Sequence, residues 1–93
     1  MIGLIKAINF INENKIVEVE VNLHLHYDKD EDFDYTGLHS IGINVWRNEK
    51  QCQCFEIDLD GYNEDACRNE QAKIIKKIKS ISNVVNHREF IHD

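Results

Sequence analysis

Proline is absent from this sequence of 93 residues, and glycine occurs only four times. So little glycine leaves few places for a tight phosphate-binding loop, and neither a nucleophile elbow nor a metalloprotease helix motif is present. The sequence therefore leaves an enzymatic role open but favours a non-enzymatic one. Isoleucine, asparagine and lysine are abundant instead, which we interpret as the codon bias of an AT-rich genome such as that of a low-GC bacterium or its phage.

Long hydrophobic runs are also missing. Lysine, glutamate or asparagine interrupts every apolar stretch, so none approaches the roughly 20 residues that span a bilayer. The first residues carry neither the basic start nor the cleavage site of a secretory signal. Three cysteines cannot all pair within one chain, which fits a reducing compartment. These absences predict a cytoplasmic protein that does not bind membranes.

The composition is that of an ordinary globular protein, because apolar residues make up 42% of the chain and charged residues 30%. A chain of this length has room for one hydrophobic core. We therefore expect residues 1–93 to form a single domain.

Alternation of apolar and polar side chains predicts β-strands. The clearest strand covers residues 17–26, where valine and leucine alternate with glutamate, asparagine and histidine. The apolar residues 2–11 and the turn residues 12–14 predict a hairpin partner for it, although residues 2–11 also satisfy helical spacing. A second hairpin is predicted from residues 41–45 and 55–59.

Residues 64–85 predict an amphipathic helix, because apolar side chains recur there at three- and four-residue intervals and lysines cover the remainder. Before it, Gly61 permits a positive φ in a turn and Asn63 can cap the helix. Residues 88–93 are expected to form a short tail. The expected fold is α+β: a four-stranded antiparallel sheet of two β-hairpins, with one C-terminal amphipathic helix packed on one face.

The net charge of −6 is distributed unevenly along the chain. Residues 1–66 are strongly acidic, whereas the predicted helix from residue 67 onward is basic. An acidic chain lacks the basic footprint of a nucleic-acid-binding protein, so we expect no direct nucleic-acid partner. We interpret the lysines of the helix as its solvated face.

The most acidic segment lies between residues 27 and 36, and its like charges predict an exposed loop. A calcium-binding loop begun at Asp28 would need Gly and Glu where Phe33 and His39 stand. Aromatic side chains among acids often anchor interfaces, which adds Trp46 to the loop as a candidate contact. The predicted partner-binding residues are Asp28, Asp30, Glu31, Asp32, Asp34 and Trp46.

Two other groups contain metal-ligating side chains. The first is His24, His26, Cys52 and Cys54, and the second is Asp58, Asp60 and Asp65. In a simple meander the histidine and cysteine pairs would lie two strands apart, roughly 9–10 Å, which is too far for a shared zinc ion. A capped strand-to-helix turn explains the three aspartates without an ion. We predict no cofactor and no metal, while ion binding by either group stays an open alternative.

Size and charge together suggest a small acidic protein-interaction module that binds and inhibits a basic partner. Immunity proteins of bacterial toxins and phage-encoded inhibitors of host nucleases are examples of this type. A homodimer through the sheet edge or an uncovered face is a structural variant of the same hypothesis. The alternative is a small metal-dependent enzyme or ligand-sensing domain that uses the Asp, His and Cys residues.

Overall fold

A computed structural model describes residues 2–16, 18–26, 38–47 and 50–92, with the backbone alone at positions 52 and 84. A helix is followed by three strands, a second helix and a further strand. These elements are α1 (Ile2–Asn14), β1 (Glu18–His26), β2 (Leu38–Arg47), β3 (Lys50–Asp60), α2 (Glu64–Lys79) and β4 (Val84–His92). The predicted α+β class is confirmed.

The described strands form one mixed sheet in the order β3-β2-β1-β4. β1 pairs antiparallel with β2, and β2 with β3, whereas β4 runs parallel to β1. β3 and β4 therefore point in the same direction at opposite edges of the sheet. α2 is the crossover connection that such strands require. The predicted strand β1 and the predicted hairpin β2–β3 are confirmed.

Both helices contribute to a single core on one face of the sheet. Alternate residues of the strands point into it, and burial of each large aliphatic side chain there contributes about 1.5–3 kcal/mol. The core consists of Leu4, Ala7, Ile11, Ile16, Val19, Val21, Leu23, Leu25, Ile41, Ile43, Val45, Ile57, Leu59, Cys67, Ile74 and Ile78. The polar half of the alternation in β1, β2 and β3 therefore lies on the opposite face.

The N-terminal segment is a helix, so the predicted first hairpin is wrong. Leu4, Ala7 and Ile11 are buried at three- and four-residue spacing, which places one face of α1 on the sheet. Gly3 allows a close approach to β3, because a Cβ at this position would lie 2.7 Å from the carbonyl oxygen of Glu56. The antiparallel neighbour of β1 is β2 instead.

The C-terminal tail is a strand, and the second helix is shorter than predicted. α2 begins as expected, with the Asn63 Oδ1 atom accepting a hydrogen bond from the Ala66 N–H at 2.8 Å. It ends before Ser80, whose Oγ donates to the carbonyl oxygen of Lys77 at 2.6 Å. β4 was not predicted because it carries polar residues on both faces and shows no alternation. The sheet is therefore mixed rather than antiparallel, and two helices cover it rather than one.

A buried amide on α2 connects β4 to β1. The Nε2 group of Gln71 donates to the carbonyl oxygens of Val21 on β1 and Arg88 on β4, each at 3.0 Å. Nearby, the Arg68 guanidinium donates to the Glu89 carboxylate at 2.8 and 3.1 Å and lowers the pKa of that carboxyl group. The middle of β4 is thus bonded to the helix at two consecutive residues.

Replacement of Gln71 by Met should lower the free energy of unfolding by about 1–3 kcal/mol, because it removes both hydrogen bonds at similar side-chain volume. Urea unfolding followed by circular dichroism measures the change. Asn69→Ala, at an exposed position of the same helix, is the control and should leave stability nearly unchanged. A Gln71→Met protein as stable as the parent would contradict a connecting role for this amide.

Candidate functional site

The face of the sheet opposite the helices, which we name the open face, carries side chains from all four described strands. Its members are Glu18, Glu20, Asn22, His24 and His26 of β1, Leu38, Ser40, Gly42, Asn44 and Trp46 of β2, Cys54, Glu56, Asp58 and Asp60 of β3, and Asn86, Arg88, Phe90 and His92 of β4. Five are acidic, and among these described residues Arg88 is the single Lys or Arg. The open face is therefore a negatively charged surface.

Trp46 lies at one end of the open face, paired with Glu18 on β1 and Gln51 on β3. Its side chain is half-buried, and its indole Nε1 is buried with no hydrogen-bond partner in the described part of the chain. A buried indole N–H usually has a partner. Trp46 therefore brings a large apolar surface to the edge of an acidic face.

The five acidic residues that we predicted to contact a partner lie outside the described residues. They are Asp28, Asp30, Glu31, Asp32 and Asp34. The chain leaves β1 at His26 and enters β2 at Leu38, and Leu38 is paired with Asp60 at that end of the sheet. The role of these five residues stays a prediction.

The residues of the two candidate metal groups are held apart. His24 lies on β1 and Cys54 on β3, with β2 between them, as in the meander that we expected. Asp65 is 94% exposed in the first turn of α2, and Gly61 has φ +81° in the preceding turn, so a helix start explains the aspartate group. Among the described residues, no three His, Cys, Asp or Glu side chains lie where they could hold a metal ion together.

Neither cysteine with a described side chain has the character of an activated nucleophile. Partial burial and the Glu56 carboxylate both raise the pKa of the Cys54 thiol. Burial and Glu64 raise the pKa of Cys67, which lies in the core. A reactive cysteine needs a lowered pKa, since the thiolate is the nucleophile.

Three histidines and a phenylalanine meet where β1 and β4 end, and we name these four residues the imidazole cluster. The parallel register places His24 beside Phe90 and His26 beside His92. His24 Nδ1 and His92 Nε2 are 2.9 Å apart. The His26 and His92 rings stack with centroids 4.5 Å apart, and the His24 and Phe90 rings with centroids 5.2 Å apart. Sequence reasoning missed half of this cluster because it missed β4.

His39 lies at the same end of the sheet on the side that the helices cover, and it is fully buried. Its Nδ1 accepts a hydrogen bond from the backbone N–H of His26 at 3.0 Å, so the ring is neutral. Burial, and then the neighbouring His26, lower the pKa of His39. Burial also lowers the pKa of His24, with further contributions from His92 and His26. Both rings therefore favour the neutral form in the folded protein.

Acidification should destabilise the folded protein. The unfolded chain binds protons at the ordinary histidine pKa of about 6.5, whereas His24 and His39 bind theirs only at lower pH. Unfolding therefore takes up protons, and the free energy of unfolding falls as the pH falls below about 6.5. Urea unfolding at several pH values between about 7.5 and about 5 measures this slope.

A variant and a control identify which histidine makes the free energy of unfolding depend on pH. His39→Asn retains a hydrogen-bond acceptor but cannot titrate, so its stability should depend less steeply on pH than that of the parent. His87→Gln removes an exposed histidine of β4 and should keep the parental slope. Equal slopes for the parent and His39→Asn would show that His39 does not contribute.

Comparison with known proteins finds no matching family model, no matching curated protein and no matching solved structure. Within the described ranges, no helix has the length and apolar character needed to cross a membrane. The geometry and charge of the open face are therefore the basis for the functional proposal.

Proposed function

We propose that this protein is a small acidic binding module whose open face covers, and thereby inhibits, a basic protein partner. The observation that carries the proposal is the five-to-one excess of acidic over basic residues on that face, which neither described helix covers. A broad, polar sheet face suits a protein surface better than it suits a small molecule, which needs a concave pocket. Complementary charge would speed association and select the partner.

Three of the acids form a row along the edge strand β3. Glu56, Asp58 and Asp60 are exposed and alternate along the strand, so the Cα atoms that carry successive carboxylates are about 6.7 Å apart. This spacing is comparable with that of successive phosphates in a nucleic-acid strand. The row supports a nuclease as the partner, because such an enzyme binds a line of negative charges. An immunity protein of a nuclease toxin, or a phage inhibitor of a host nuclease, would act in this way.

Segments at both ends of the open face extend the proposed interface. The segment that joins His26 to Leu38 contains the five predicted acidic contacts, and Trp46 borders the other end of the face. We keep both in the proposed interface.

A homodimer formed through the open face is opposed by its charge, because five acids of one copy would meet the same acids of the other. The homodimer variant of the proposal therefore favours an edge strand, β3 or β4, as the contact. Sedimentation at several concentrations distinguishes a monomeric inhibitor from a self-assembling protein.

Charge reversal on the open face should weaken partner capture. The double variant Glu56→Lys/Asp58→Lys, immobilised and exposed to lysate of the source cell, should retain the partner at least about tenfold less than the parent does. The same partner should leave the parent protein when the salt concentration is raised, because surface charge interactions are screened. Mass spectrometry identifies and quantifies the retained protein.

The matched control is Glu13→Lys/Asp65→Lys, which changes the net charge equally at exposed positions of α1 and α2. This control should retain the partner nearly as well as the parent does. Equal retention by both double variants, or equal loss in both, would contradict a binding role for the open face. In the second case, net charge rather than a specific surface would govern capture.

A further inference from the structure

The middle and the end of β4 are held by different contacts. At Arg88 and Glu89 the strand is anchored to α2, through Gln71 and Arg68 respectively. Residues 90–92 lie beyond these anchors at the sheet edge, where Ile91 is 61% exposed. Among the described contacts, the ladder with β1 and the imidazole cluster hold the end of β4.

The contact between His24 and His92 is end-on. The facing nitrogens are 2.9 Å apart and the ring centroids 5.1 Å apart. This centroid distance is close to the largest that such a nitrogen contact allows, so the two nitrogens point at one another. The contact holds one hydrogen, which one ring donates and the other accepts. It connects the central strand β1 to the end of β4.

A second proton on this pair destroys the contact. When both rings are imidazolium, both facing nitrogens carry hydrogen, and neither can accept. Two histidine cations this close also repel one another.

Within the described strands, no acidic residue lies beside the His24–His92 pair. β2 places only Ser40 and Gly42 beside His24, and β4 adds the cation Arg88 one row away. The nearest acidic residues of the described strands, Glu56 and Asp58, lie on β3 with β2 between them and His24. At this separation in water-exposed surroundings, carboxylates offset adjacent imidazolium charges only weakly.

We propose that the imidazole cluster is a proton-operated latch that holds residues 90–92 against β1 when the His24–His92 pair carries one proton between its facing nitrogens, and releases them when both rings are charged. Release would expose the outer edge of β1 near His24 and His26. An exposed edge has unpaired N–H and C=O groups to which a strand of another chain can pair. The latch does not depend on the partner proposed for the open face.

Amide hydrogen exchange followed by NMR on the isolated protein tests the latch. With rates corrected for the intrinsic effect of pH, protection at residues 90–92 should fall by about tenfold per pH unit below about pH 6.5. Protection at residues 86–89 should fall less, because Gln71 and Arg68 anchor that part. Parallel loss of protection along the whole of β4, or no loss at residues 90–92, would overturn the proposal.

Two variants connect the response to the facing nitrogens. His92→Phe retains a ring that can stack on His26 but cannot be charged, so protection at its residues 90–92 should depend on pH less steeply than in the parent. His87→Gln, an exposed histidine of the same strand, should behave like the parent. The measured quantity is the dependence of protection on pH, so the test still works if the variant also lowers protection at every pH. A parental slope in His92→Phe would overturn the latch.

Discussion

The alternation of β1 divides this molecule into two sides. Its valines and leucines are fully buried against the helices, and its glutamates and histidines point to the open face. Because β1 lies between β2 and β4, its register also sets the positions of both neighbours. A slip of one residue would exchange the two faces. The core, the acidic open face and the imidazole cluster all depend on this one register.

The two sides of the sheet also differ in charge. Three lysines and one glutamate line an apolar groove beside Leu4 on the helical side, namely Lys73, Lys76, Lys77 and Glu70. The acids of β1 and β3 lie on the open face. A protein polarised in this way would turn its acidic side toward the basic partner that we propose, because the field acts over several ångströms. The same separation disfavours contact between the open faces of two copies.

The periodicity of the sequence correctly predicted the strands that have one buried and one exposed face. It did not predict the elements in which apolar and polar residues do not alternate. β1, β2 and β3 have one apolar and one polar face, so their strands and most of the open face followed from the alternation. Residues 2–11 are apolar nearly throughout, so their pattern fits the period of a strand as well as that of a helix. Only the packing shows that Leu4, Ala7 and Ile11 form the buried face of a helix. β4 is polar on both sides because it is an edge strand that α2 covers only in part.

The imidazole cluster shows why the rest of the site was beyond sequence reasoning. His24 and His92 are 68 residues apart in the sequence. Their contact requires the parallel pairing of β1 with β4, which no local sequence pattern predicts. The repeated spacing of His24 to His26 and Phe90 to His92 was a signal, but it has meaning only once β4 is known to be a strand. Gln71 was visible as a polar residue within an apolar stripe, and its buried bonds to β1 and β4 now explain it.

Side-chain NMR signals distinguish the two sides of the sheet most directly. With the partner retained by the parent protein added to isotope-labelled protein, the Asn44 side-chain amide and the Trp46 indole N–H should shift, since both lie on the open face. The side-chain amides of Asn12 and Asn69, exposed on α1 and α2, should stay unchanged. Shifts confined to Asn12 and Asn69 would contradict the open face as the binding surface.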